Sequence, residues 1–486
     1  MPEARLQLAI TELPYASDPA HHFTALRQRP GAVLLDSGRP AAPGGRFDIL
    51  TSDPLYTLSV DEAGVHCDNG VPPLPSAPFA AQRELLAHAL KHDLPQIPAA
   101  LAGTLDELPF IGGLLGYWSY TLARDHRPEG NPPESRPGPD LPYARLGLYD
   151  WALIQDHQVQ QTWLVASPER RRQVERWLAM PPPQEEDIVL TQPFVSDIDR
   201  AGYGERFRRV IDYLHAGDCY QVNLAQRFTA RFRGDTWHAY RRLRQATPTP
   251  YGGYLRWDDK AIASLSPERF VRVADGQVET RPIKGTRARG ETTQADAALA
   301  QALQESPKDR AENVMIVDLL RNDLGRVCRF GSVHVPRLCA LESYANVHHL
   351  VSVVRGELSP EASALDLLAA AFPGGSITGA PKRRAMQIID ELESSQRSVY
   401  CGSLGYVDRR GHLDTSIAIR TLVADGDTLH LWGGGGVVAD SDEEEEYRET
   451  LAKIGRLMTA LGSANDGDAA TSSTAAEGSA FNNQNI

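Results

Sequence analysis

Strand-like and helical segments do not alternate along this chain, which removes the regular parallel βαβ architectures from consideration. Ala32-Val-Leu-Leu-Asp36 and Arg46-Phe-Asp-Ile-Leu50 read as strands, as do a pair over about 144–166 and segments near 219–228, 345–356, 401–407, 413–422 and 428–432. Helical spacing is confined to a few stretches. Phe207, Val210, Ile211 and Leu214 share a face, with Gly217 where a C-terminal cap belongs. A charged helix is expected at about 168–179 and a long one from Thr293 to about Asp323. Another carries Met386, Ile389 and Leu392 on one face, with Pro381 near its first turn. The pattern predicts an α+β fold with large antiparallel sheets.

Within 486 residues, 42% of them hydrophobic, there is material for a large core with subdomains. Pro181-Pro-Pro-Gln-Glu-Glu186 reads as a linker between residues 1–185 and a denser region at 190–460. Residues 461–486 hold little to bury and are expected to be disordered. A net charge of -13 argues against nucleic acid or an anionic membrane as partner. The cysteines are scattered without a CxxC pair, as free thiols of a reducing compartment are. No basic, apolar leader and no run of 18 apolar residues is present, so a cytoplasmic location is expected.

The segment with the most chemical content is Arg281-Pro-Ile-Lys-Gly-Thr286. Pro282 and Gly285 bracket Lys284, so its amine can be held at a defined point. A nucleophilic amine needs desolvation or a neighbouring positive charge to lower its pKa; a plain lysine in a basic turn is the alternative. Ser266-Pro-Glu-Arg-Phe270 offers Glu268 as a proton donor if both segments line one cleft. Asp309 and Glu312 lie three apart on one predicted helix, as do Glu446 and Glu449 on another. Such carboxylates suit Mg2+, or are two solvated acidic faces.

Pro373-Gly-Gly-Ser-Ile-Thr-Gly-Ala-Pro-Lys382 lacks a phosphate-loop ending. It presents either amides to an anion or a helix cap through Ser376 or Thr378. Arg321 and Asp323 read as structural, paired with each other or anchoring their helix to its neighbours. The run Gly433 to Asp440 has GxGxxA spacing, but the acidic residues after it exclude a dinucleotide; Gly434, Gly435 and Gly436 better bring amides against a compact ligand. Arg420 and Lys453 are candidate partners for a substrate carboxylate. His349 is either a base or electrostatic helper or a hydrogen-bonded strand histidine.

Taken together, Cys219-Tyr-Gln-Val-Asn-Leu224, Ser266 to Phe270, Pro282 to Thr286, Asp309 to Asn313, Asp318 to Val327, Gly374 to Lys382 and Gly434 to Glu449 resemble the chorismate-utilising enzymes, the anthranilate synthase component I family, over about residues 30–458. The resemblance implies two large, mainly antiparallel β-sheets packed together and flanked by helices, with chorismate and Mg2+ in a cleft of the C-terminal part. It assigns Glu312, Glu446 and Glu449 to the metal or its waters, with Asp309 in support. Thr286, Arg420, Lys453 and the Gly434–Gly436 amides hold the substrate, and His349 lies near the ring.

Lysine at position 284 is similar to the aminodeoxychorismate branch, whereas anthranilate synthases usually carry alanine there. The implied reaction makes 4-amino-4-deoxychorismate for 4-aminobenzoate and folate synthesis, with Lys284 as covalent nucleophile and Glu268 as acid. Ammonia would come from a separate glutamine amidotransferase, because no Gly-Cys-Gly elbow with a trailing His-x-Glu is present. Leu34 to Ser37 and Arg46 to Asp48 resemble a tryptophan pocket, placing Ser37, Arg46 and Phe47 in it. Anthranilate synthase component I and a non-catalytic scaffold for the amidotransferase are the alternative readings.

Overall fold

Alternate residues of single strands fall into different cores, which shows that one sheet is covered on both faces. Val33, Ile49, Leu255 and Ile262 belong to one buried cluster, while their neighbours Leu34, Leu50, Tyr254 and Ala263 belong to another. The computed structural model describes residues 8–42, 45–68, 73–92, 94–126, 136–344 and 347–462. The tail expected to be disordered lies outside the described residues apart from its first two positions.

Two antiparallel sheets form the body. The 12-stranded sheet runs from Ala9–Leu13 through Gln161–Ala166, Ala152–Asp156, Phe47–Thr51, Ala32–Asp36, Tyr251–Trp257, Lys260–Ser266, Thr421–Asp425, Thr428–Val437 and Gln221–Arg233 to Val189–Ser196, with Gly379–Ala380 paired to Gln221–Arg233. The 11-stranded sheet runs from Ile283–Ala288 through Val347–Glu357, Gln277–Thr280, Arg269–Ala274, Leu413–Ile417, Ser403–Asp408, Gly113–Trp118 and Ala144–Tyr149 to Tyr56–Asp61 and Gly64–Cys67, with His334–Ser343 paired to Val347–Glu357. Strands from both sides of the Pro181–Glu186 stretch stand in each sheet.

The larger cluster draws Ile49 and Ile262 from the first sheet, and Leu115, Val271 and Leu404 from the second, so it forms the core between them. The other cluster lies on the outer face of the first sheet. There Trp237 and Tyr240 of the helix Thr236–Ala246 and Met458 of the helix Glu443–Ala460 meet Tyr254 and Leu431.

Four expectations change. The pair read over about 144–166 is three strands, Ala144–Tyr149 in the second sheet and Ala152–Asp156 and Gln161–Ala166 in the first, because the chain changes sheets between Tyr149 and Ala152. Where spacing predicts one helix from Thr293 to about Asp323, there are two, Thr293–Glu305 and Pro307–Gly325. Pro307 has no N–H to continue the first helix, and the Ser306 side chain instead caps the second by accepting from the Asp309 amide. The segment read as one strand at 413–422 is two, Leu413–Ile417 and Thr421–Asp425, in different sheets. The four glycines after Leu431-Trp432 continue the strand Thr428–Val437 instead of following it. Among the described residues, no helix is long and apolar enough to cross a membrane.

Candidate functional site

The site forms where the chain crosses from one sheet to the other. Glu268 stands between the strand Lys260–Ser266 of the first sheet and Arg269–Ala274 of the second; Arg420 stands at the return crossing. The two crossings are stitched together, Ile417 N donating to Glu268 O at 3.1 Å and Leu265 N to Arg420 O at 3.1 Å. Arg420 adopts φ +51°, rare for a residue with a Cβ. Among the described residues its guanidinium makes no ion pair. Burial and the facing Arg456 push its pKa down, against the pull of Glu268.

Lys284 lies in a register break of the strand Ile283–Ala288, which pairs Ile283 with Val351 and Thr286 with His349. Gly285 makes the break possible at φ +79°. A Cβ there would stand 2.8 Å from Leu303 Cδ1 and 3.0 Å from Asp309 Cβ, so only glycine fits. The half-buried Lys284 amine donates to the main-chain carbonyl of Ser376 at 3.3 Å. Its pKa is lowered, first by burial and also by Lys453, while Glu312, Glu268 and Glu449 oppose the shift.

Glu268 is buried beside it. Burial raises its pKa to about 7, against the Ser376 hydroxyl, the Lys284 charge, the Ile283 amide and Lys453, all of which favour the ionised form. The structure therefore brings the sequence-predicted amine and acid into one environment with opposite tuning.

His349 is buried, its Nδ1 2.8 Å from Thr286 Oγ1, and its ring donates to the Gly285 backbone carbonyl. Burial and Arg420 push its pKa down to about 4, so it is neutral near pH 7.

Gly434, Gly435 and Gly436 pair with Ala225, Leu224 and Asn223. A side chain is excluded at Gly434, and at Gly435 and Gly436 it would push aside the tips of the site's own side chains. A Cβ at Gly434 would meet Ala225 Cβ and Tyr400 OH at 2.8 Å, at Gly435 it would meet Glu446 Oε2 at 2.9 Å, and at Gly436 it would meet Gln221 Nε2 at 2.6 Å, with Lys284 Nζ at 3.5 Å. The glycine strand is thus the floor on which the acidic helix and the lysine strand converge.

Glu446 and Glu449 sit on the helix Glu443–Ala460, and Glu312 and Asp309 on Pro307–Gly325. Glu446 Oε1 accepts from Ser441 at 2.6 Å and lies 3.8 Å from Lys308 Nζ, while its buried Oε2 has no partner. The same Gly435 position is 3.4 Å from Glu449 Oε1. Burial and mutual repulsion with Glu449 raise the pKa of both Glu312 and Glu446, whereas Lys453 leads the charges that bring Glu449 below its usual value against its own burial. Among the described residues no three His, Cys, Asp or Glu side chains are already gathered as a metal cluster. Asp309 is tied to Arg287 at 3.1 Å beneath Gly285.

Ser37, Arg46 and Phe47 line a separate cavity of about 380 Å³ with Tyr251, Arg269 and Tyr406. There Ser37 Oγ donates to Asp48 at 2.7 Å and Arg46 pairs with Asp156 at 2.7 Å.

Ser376 and Thr378 do not cap the following helix. Its N-cap is Pro381, and Thr378 Oγ1 donates instead to Gly374 O at 2.9 Å. Asp323 pairs with Lys382 at 2.6 Å, and Arg321 with Asp318 at 3.0 Å. Ser376, Lys308 and the buried pair Glu393–Arg397 were not singled out as site residues by spacing. Only the Gly-Gly-Ser-Ile-Thr-Gly block around Ser376 carried any signal.

The chorismate binding enzyme family matches residues 50–459. The chain belongs to that family. Among its relatives, aminodeoxychorismate synthase component 1 of Klebsiella aerogenes is 45% identical over 94% of this chain and 99% of its own length. The Salmonella typhimurium protein of the same name is 46% identical over the same shares. Anthranilate synthase component 1 of Synechocystis is 37% identical over 90% of this chain and 92% of its own. In three dimensions, this chorismate-binding chain is similar to anthranilate synthase component I from Streptococcus pneumoniae, with TM-score 0.74 and 30% identity over 86% of this chain and 92% of that one. The α+β architecture of two large antiparallel sheets flanked by helices is therefore the family's fold.

Proposed function

We propose that this chorismate-binding enzyme is an aminodeoxychorismate synthase subunit, converting chorismate and ammonia to 4-amino-4-deoxychorismate in 4-aminobenzoate and folate synthesis. The observation that carries the reading is the Lys284 amine, with its lowered pKa, beside a Glu268 carboxyl that holds its proton to about pH 7. An amine that is to attack must be neutral, and an acid that is to assist departure must be protonated; burial favours both forms. The names of these two aminodeoxychorismate synthase relatives support the same branch.

In the proposed reaction the neutral Lys284 amine forms a C–N bond at ring C2 while the C4–O bond breaks. The Glu268 proton leaves with the C4 hydroxyl as water. Ammonia then bonds at C4 as the C2–N bond breaks, Lys284 departs as a neutral amine, and the new C4 ammonium returns a proton to Glu268. A difficult displacement is divided into two easier ones. Arg420, without an ion pair among the described residues, and Lys453 would take substrate carboxylate, and Thr286 with the Gly434–Gly436 amides would line its seat. His349, neutral at working pH, would act as a polar group beside the ring.

Mg2+ fits the acidic side of the site. The orphaned Glu446 Oε2 is a hard oxygen without a partner, and Glu449 and Glu312 lie near enough to perturb it or one another. Glu446, Glu449 and Glu312 would hold the ion, with Asp309 in support, and bound Mg2+ would supply positive charge for a substrate carboxylate. Ammonia is mostly protonated at neutral pH, so a glutamine amidotransferase subunit is the expected donor. The about 380 Å³ cavity at Ser37, Arg46 and Phe47 is the seat proposed for tryptophan.

Incubation of the chain with chorismate, Mg2+ and an ammonium salt, followed by mass spectrometry, tests the assignment. The expected product keeps the enolpyruvyl group; anthranilate as sole product overturns it.

A further inference from the structure

Gln221 opens the strand Gln221–Arg233 and pairs there with Ala380 of the short strand Gly379–Ala380. The two backbones are pressed together, since a Cβ at Gly379 would stand 2.0 Å from Gln221 O. The Gln221 side chain is wholly buried. Among the described residues, neither its Oε1 nor its Nε2 has a hydrogen-bond partner. A buried amide unpaired at both ends destabilises a fold, whereas an apolar side chain of the same length would not. Its position supplies a use for it. A Cβ on Gly436 would stand 2.6 Å from Gln221 Nε2 and 3.5 Å from Lys284 Nζ, so the amide and the amine flank one point above the glycine strand. The preceding residue, Tyr220, is 71% exposed and lines an open groove with Met315, Leu319, Ala380 and Pro381. Within one residue the chain therefore passes from an open surface to the neighbourhood of the amine.

We propose that Gln221 seats the ammonia that attacks the Lys284-bound intermediate: its Oε1 accepts an ammonia N–H and leaves the nitrogen lone pair free. The inference rests on the proposed covalent reaction. In that step the ammonia lone pair forms the C4–N bond, the C2–N electron pair returns to Lys284, and the surplus proton goes to Glu268. A single ring carbon separates C2 from C4, so the ammonia must stand beside the Lys284 nitrogen when it attacks. A primary amide suits that place. A carboxylate would favour ammonium, which has no lone pair to give, and a lysine would present donors only. A neutral amide accepts a hydrogen bond without adding charge next to an amine that must itself stay neutral. Because no partner among the described residues fixes either end of the amide, Oε1 is free to be the end turned to the ammonia.

The test combines intact-protein mass spectrometry with steady-state turnover of the full chain, using chorismate, Mg2+ and ammonium chloride. Gln221→Met keeps the length of the side chain and removes its polar end, so its Tm should equal or exceed the native value. Gln221→Ala makes the same comparison without a side chain reaching Gly436. Before ammonium is added, both variants should form the Lys284 adduct to the native extent. In turnover, the half-saturating ammonium concentration should rise about fivefold, the size of one hydrogen bond between neutral groups, with the KM for chorismate near its native value. An unchanged half-saturating ammonium concentration in both variants overturns the inference. So does a loss of adduct formation with native discharge by ammonium, which would assign the amide to the lysine instead. A native chain that forms no adduct would remove the covalent reading, while the ammonium dependence of C4-amino product formation would still decide whether Gln221 seats ammonia.

Discussion

Lys453 donates to Glu449 Oε1 at 2.7 Å, one turn back on the same helix, and its amine also meets the Gly434 carbonyl at 2.9 Å. The side chains are 40% and 52% exposed, so the pair contributes little to stability. Its consequence is local: a positive charge stands beside the carboxylate that shares Gly435 with the orphaned Glu446 Oε2.

The first prediction concerns that orphan. Mg2+ should raise the Tm of the native chain, because an ion that binds only the folded state adds about 2.7 kcal/mol at a hundred times its Kd. Glu446→Gln should lose most of this increment and need at least about tenfold more Mg2+ for half-maximal rate, the loss seen even when a group that merely supports a metal ligand is removed. Thermal scans with Mg2+ and with chelator give the comparison. An undiminished Mg2+ response in the variant would remove Glu446 from the ion.

Lys284→Ala should abolish 4-amino-4-deoxychorismate formation without unfolding the chain. The amine is half-buried and its one hydrogen bond is a 3.3 Å contact to a carbonyl, so little stability depends on it. Product analysis by mass spectrometry beside a Tm measurement separates the two effects. A variant that still makes the C4-amino product at the native rate would exclude covalent attack by this residue.

Glu268 sets a pH dependence. Its pKa is 4.5 as an ordinary glutamate and about 7 in the folded chain, so the folded state holds the proton more tightly than the unfolded one. Stability from this group is fully present below about pH 4.5 and is lost as pH rises through about 7. Glu268→Gln should accordingly match the native stability near pH 4.5 and exceed it at pH 8 by up to about 3 kcal/mol, read as a higher Tm at the higher pH only. Its turnover should fall by roughly 10²–10⁴-fold, as loss of a positioned acid does. A Tm difference that is the same at both pH values would mean that the carboxyl is not held protonated.

Much of this was legible in the sequence because it is local. Gly285 beside Lys284 announced a backbone break, and the i, i+3 carboxylates announced two acidic helix faces. The split of the long predicted helix was also local, since Ser306-Pro307 is a cap followed by a first-turn proline, but apolar spacing continued across it and masked the break. Spacing places the glycine run after its strand, because only tertiary neighbours such as Ala225 and Tyr400 show why the strand interior lacks a side chain at Gly434. Ser376 was read as a possible cap for the same reason. Its segment is held by contacts to residues such as Asn223 and Leu319, remote in the chain and invisible to any periodicity.

The last prediction concerns the support beneath that serine. Arg397 and Glu393 are 3% and 6% exposed and form two parallel hydrogen bonds, Nε to Oε2 at 2.9 Å and Nη2 to Oε1 at 2.7 Å. The same guanidinium reaches Ile377 O at 2.9 Å and Asn223 O at 2.7 Å, and Glu393 accepts from the Ala225 amide at 2.9 Å. The pair therefore joins the 374–378 segment to the strand Gln221–Arg233. Arg397→Met leaves Glu393 charged and buried alone, which should cost about 3–5 kcal/mol. Arg397→Met combined with Glu393→Leu should recover a large part of that stability, because no buried charge remains. Activity should not recover in parallel, since neither apolar side chain can receive the Ile377 and Asn223 carbonyls or the Ala225 amide that fix the segment. Denaturant unfolding and turnover measured on the same three proteins make the comparison. If the double variant regained full activity with its stability, the ion pair would hold the fold but not the placement of Ser376.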